Sequence, residues 1–203
     1  MAMRLDRAAL LRRAGAGIDF PDWRLRAICA GADDHAGSRH RLALSPVRWL
    51  AALPALGVVL YLGGRVDRRW LDEGALPPGT MVESVELAPL LPWRSLEAVS
   101  EITRDGPREW IECRSAGARI AARLYLLPDT DYLAWDALHT GATPIVGEAG
   151  RAPPGTWHPA TARLLRFRAR RLGGLDILGA ETASDVSPLS MQLASRLARD
   201  EVV

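Results

Sequence analysis

Lysine and asparagine are absent from this chain of 203 residues, so all 26 of its basic residues are arginines. The missing residues use A-rich codons, so a GC-rich genome accounts for the bias, and an arginine here is not by itself a chosen ligand. Cysteine is nearly absent too. Cys29 and Cys113 supply neither a disulfide framework nor metal-ligand spacing. The first residues, MAMRLDRAALLRRAGAGIDF, lack the apolar core of a secretory leader, which predicts a reduced, cytoplasmic protein. The net charge of +2 is too small to indicate a nucleic-acid protein.

No apolar run has the length of a membrane span. A span needs roughly 20 consecutive apolar residues. The run between Arg48 and Arg65 is interrupted by Pro54 and loosened by Gly63-Gly64, and arginines flank it on both sides, without the asymmetry that orients a span. Through its end and past it, Val59, Leu62, Val66 and Trp70 recur at helical spacing. Trp49–Leu62 is therefore expected to be buried in protein.

Sequence signatures of catalysis are missing as well. His35, His40, His139 and His158 have no spacing that puts two on one ligand face. GAGI and VGEAG lack the spacing of a phosphate loop, and there is no nucleophile elbow. Asp33/Asp34 and Asp129/Asp131 occupy turn or cap positions, where aspartate binds backbone N–H groups. The expectation is a protein that is not an enzyme and carries no cofactor or metal. The competing reading is a small enzyme with catalytic groups dispersed in sequence.

With 48% hydrophobic and 25% charged residues, the chain can bury a core. The periodicity reads mainly as α: a compact helical domain over 41–203, with a possible short strand-like segment, after an N-terminal helical arm over 1–40. Ser45-Pro46 supplies an N-cap and a first-turn proline for the apolar segment. Ser95 caps LEAVSEIT, where Leu96, Val99 and Ile102 share a helical face. IECRSAGARIAARLYLL fits a helix, or two strands around a Ser-Ala-Gly turn. Asp131 caps a helix ending at Gly141, and Ser187-Pro188 starts a last helix with Leu189, Leu193 and Leu197 stacked four apart. In ARLLRFRARRL (162–172), arginines alternate with Leu165, Phe167 and Ala169 at the period of a strand, whereas Ala162, Leu165, Ala169 and Leu172 fit one helical face.

Seven tryptophans are numerous for this length. Several of them together without catalytic motifs favour contact-making. Arg166, Arg168, Arg170 and Trp157 are the candidate partner-binding residues, since guanidinium forks suit carboxylates.

Three stretches, LPALGVVLYLGGRVDRRWL, GTWHPATARLLRFRARRL and SMQLASRLARDEV, resemble the SctK family of type III secretion system proteins. These are adaptor subunits of the cytoplasmic sorting platform. The resemblance implies a mainly helical, non-catalytic adaptor at the cytoplasmic face of the inner membrane. Its partners would be the pod-forming sorting-platform subunit and the cytoplasmic domain of an inner-membrane ring protein, with no nucleic acid and no transmembrane span. The alternative is a peripheral inner-membrane protein docking through the apolar helix around 49–62.

Overall fold

The computed structural model describes residues 37–65, 79–91, 93–103, 106–115, 119–145 and 157–202. The expected helical arm over 1–40 lies outside them except for residues 37–40, which are not helical but belong to strand β1 (Gly37–Arg41).

Helix α1 (Pro46–Ala52) starts where the sequence places it, with the Ser45 hydroxyl accepting from Arg48 N at 3.3 Å. It ends much sooner than its periodicity predicts. Pro54 has no N–H to continue an α-helix, and Leu53–Leu56 tightens into a 3₁₀ turn. Gly57 then turns the chain at φ 69°, and the β-branched pair Val58-Val59 opens strand β2 (Val58–Gly63). Every residue of β2 is buried. A strand covered on both faces reads as a continuous apolar run, which periodicity cannot separate from a core helix.

The mainly α expectation is overturned by a sheet of nine strands among the described residues, ordered β3-β9-β8-β2-β6-β5-β4-β1-β7. Its further strands are β3 (Thr80–Val82), β4 (Ser95–Thr103), β5 (Gly106–Arg114) and β6 (Ile120–Tyr125). They are followed by β7 (Thr143–Pro144), β8 (Thr161–Leu172) and β9 (Leu175–Thr182). The β3–β9 pair is parallel, and the other pairs are antiparallel. LEAVSEIT is therefore a strand, paired along its length with β5. IECRSAGARIAARLYLL forms β5 and β6, which follows the strand-pair reading. Segment 162–172 is β8, a strand held between β2 and β9. The sheet ends on strands of three and two residues, which offer little edge for unwanted pairing.

Helices cover both faces. On the first, α1, the 3₁₀ turns Leu53–Leu56 and Val85–Leu90, and α2 (Tyr132–Ala137) pack a core centred on Trp49, Leu56, Tyr61, Leu124, Trp135 and Phe167. Helix α2 has its expected cap, Asp131 Oδ1 accepting from Ala134 N at 2.9 Å. The second face is covered by α3 (Pro188–Val202), over Val58, Leu60, Leu62, Val99, Trp110 and Tyr125. Ser187 caps α3 by accepting from Ser190 N at 3.2 Å. The expected leucine stack is displaced, since Leu189 is 61% exposed while Ser190, Ala194 and Leu197 are buried. Among the described residues no helix is long and apolar enough to cross a membrane.

Candidate docking surface and buried charge network

Strand β8 places Arg166, Arg168 and Arg170 on one face of the sheet and Leu165 and Phe167 on the other, in the first core. The three guanidiniums do have acidic neighbours within the chain. Arg166 lies opposite Glu181 on β9, and Asp129, whose pKa is lowered first by the hydrogen bond from the Ser187 backbone N–H and then by the Ser187 and Ser190 hydroxyls, also feels the Arg166 charge as the smallest cause. Arg168 pairs with Glu83 at 3.1 Å, and Arg170 pairs with the same carboxylate. One anion is thus shared by two cations, which are 54% and 63% exposed. On the opposite side of β8, Arg171 pairs with Asp176 at 3.0 Å.

A glycine makes the shared contact possible. Glu83 follows β3 and crosses β9 at Gly179, where a Cβ would collide with its carboxylate. Gly179→Val should evict Glu83 and leave Arg168 and Arg170 unshared. Exposed ion pairs contribute little, so the expected stability loss is about 1 kcal/mol or less by urea unfolding. A loss above roughly 3 kcal/mol would mean that Gly179 serves the core instead.

Trp157 does not join these arginines. It precedes β8, whose rise of about 3.3 Å per residue separates the start of the strand from Arg170 by roughly 30 Å. It packs instead against the second core and stacks on Arg123, whose guanidinium carbon is 4.8 Å from the ring centroid.

Arg123 belongs to a network that sequence reading did not reveal. Glu112 is fully buried beneath three arginines, with Arg39 at 3.0 Å, Arg114 at 2.6 Å and Arg123 at 2.9 Å. Trp110 Nε1 donates to it at 3.0 Å. Glu97 bridges Arg39 at 3.2 Å and Arg114 at 3.0 Å, and Glu201 of α3 meets Arg123 at 2.5 Å and the Tyr125 hydroxyl. Three carboxylates therefore face three guanidiniums. Burial pushes the Glu112 pKa upward, but Arg123, Arg39, Arg114 and the Trp110 hydrogen bond outweigh it and hold the group at about 2. The one legible trace is alternation, with Trp110, Glu112 and Arg114 on one side of β5.

The fold also gathers side chains that sequence spacing kept apart. Ser38, His40, Glu109, Trp135 and His139 line one hollow on the first face, but it has no room for a water molecule. His139 Nδ1 lies 3.0 Å from the Trp135 carbonyl. The Cys113 thiol is buried and its pKa is raised, first by desolvation and then by Glu112, which keeps it protonated. No group of three His, Cys, Asp or Glu among the described residues is placed to hold a metal.

A second concavity is open. A cleft of about 340 Å³ lies between α1 and the end of the β8–β9 hairpin, beside Val47, Leu50, Ala51 and Leu178.

The sheet, its helical layers and this open cleft define a β-rich domain with a candidate docking end. No family model matches the chain, and no curated protein matches it. Among solved structures, it is similar to the heme-degrading enzyme ChuS of Escherichia coli O157:H7, with 16% identity and a TM-score of 0.38 over 52% of this chain and 35% of that one. At that similarity, neither the fold nor the chemistry of that enzyme is carried over.

Proposed function

We propose that this protein is a non-catalytic adaptor that docks a protein partner through the arginine-bearing end of the β8–β9 hairpin. The observation that carries this reading is the strand conformation of 161–172, which lines up Arg166, Arg168 and Arg170 on one exposed face. Two of the three share a single carboxylate, so that face can accept further negative charge. Its membership of a type III secretion sorting platform rests on the sequence resemblance alone. The β-rich fold differs from the helical one which that resemblance implied.

Docking on a membrane through 49–62 is disfavoured by burial. Trp49, Leu53, Leu56 and Val59 are each 0% exposed, so the large apolar side chains of this segment face the core, and its exposed residues are the small Ala51 and Ala55.

Changing Arg166, Arg168 and Arg170 together to Glu should abolish co-purification with the pod-forming subunit and with the ring protein's cytoplasmic domain. The isolated variant should stay folded, with a loss of about 1–2 kcal/mol, because exposed pairs are individually worth roughly 1 kcal/mol or less. Added salt should weaken the wild-type contact, since exposed charges are screened over roughly 8–10 Å at physiological strength. Unchanged co-purification of the triple variant with both partners would remove this face from the interface.

A further inference from the structure

Resting on the adaptor reading, we infer that the cleft between α1 and the β8–β9 hairpin receives an apolar side chain from an acidic segment of a protein partner. Leu50 and Leu178, both buried, belong to the cleft, and Ala51 and Ala169, both exposed and small, leave it open. At about 340 Å³ it is as large as a small ligand pocket.

The surroundings indicate a protein partner. Val47 on the rim is 49% exposed, and the hairpin turns through Gly173 and Gly174, both at positive φ, between Leu172 at 69% and Leu175 at 39% exposure. Hairpin turns in water are ordinarily polar, so two exposed leucines at this turn, on the arginine-bearing face of β8, mark the end of the hairpin next to the cleft as a contact surface. The charged residues of the lining are Arg170, Arg171 and Asp176, and with Arg168 and the Glu83 carboxylate that it shares with Arg170, three guanidiniums stand against two carboxylates. That balance favours carboxylates beside the incoming side chain. Anionic lipid would answer the same charge, but a concave cleft is complementary to a protruding side chain, whereas a bilayer is entered by protrusions from the protein.

The test uses the full chain and a fluorescent peptide with a central Leu-Phe pair flanked by glutamates. Its controls are the same peptide with lysines for glutamates, and phosphatidylserine vesicles. The glutamate peptide should bind saturably, and the lysine peptide at least about tenfold more weakly. Ala169→Trp fills the cleft from an exposed position and should weaken peptide binding at least about tenfold without lowering the melting temperature. Ala51→Trp, filling the same space from α1, should reproduce the loss and serves if the first variant folds poorly. Equal binding of both peptides, undiminished binding by both tryptophan variants, or binding to vesicles alone would overturn the inference. In the co-purification assay, loss with the triple arginine variant but not with either tryptophan variant would sink the cleft and leave the adaptor reading standing. Loss with the tryptophan variants alone would do the reverse to the arginine face.

Discussion

Glu112→Gln should cost about 3–5 kcal/mol in urea unfolding, the usual penalty for breaking a buried ion pair from one side. The substitution keeps the volume but removes the charge that Arg39, Arg114 and Arg123 surround. Those guanidiniums sit between β1, β5, β6 and α3 and cannot all reach water without opening the second face. An exposed pair such as Arg163 with Glu86, at 2.7 Å, is the control. Its removal should cost about 1 kcal/mol or less.

The same carboxylate predicts a pH signature. Its pKa falls from an ordinary 4.5 to about 2 on folding. The unfolded chain therefore binds this proton first as pH drops. The stabilisation is fully present above the unfolded value of 4.5 and is lost as pH falls toward the folded value of about 2. Its size is on the order of 3 kcal/mol. Glu112→Gln cannot titrate there, so the stability gap between variant and wild type should narrow on acidification. A gap that stays constant from about pH 6 to about pH 3 would show that Glu112 does not carry this term.

Leu56→Asp should be at least as damaging, with a loss above about 4 kcal/mol or no recoverable folded protein. Leu56 is 0% exposed and ends the 3₁₀ turn that packs α1 and α2 onto the first face. A carboxylate there must stay charged without a partner or become protonated, and both destabilise the fold. Leu133, on α2 but 83% exposed, gives the contrast. Its replacement by Asp should change stability by about 0.5 kcal/mol or less. If 49–62 were a membrane anchor, Leu56→Asp would instead abolish vesicle binding and leave stability intact.

The candidate docking face was half legible in sequence. The alternation of arginine with Leu165, Phe167 and Ala169 carried the strand period, while the same letters also fitted a helix. Pairing with β2 and β9 chose between them. Glu83 could not be found from β8 alone, because its approach depends on the gap at Gly179 on a neighbouring strand. The buried network was illegible for a related reason. Arg39 meets Glu97 and Glu112 from 58 and 73 positions away in sequence, and Arg123 meets Glu201 from 78.

What the sequence determined by itself was local chemistry and gross burial. The caps at Ser45, Asp131 and Ser187 each accept from an N–H three residues on, so no distant partner is needed to form them. Trp49–Leu62 was destined for an interior because its apolar run is too short for a bilayer and too long to leave in water. The tertiary structure decided the fold class. A helix satisfies its backbone within its own segment, whereas a strand needs hydrogen-bond partners supplied from elsewhere in the chain. Leu96, Val99 and Ile102 could have formed a helical face, but β5 and β1 were available to pair with that segment. The apolar run at 58–63 likewise became a central strand once β6 and β8 flanked it.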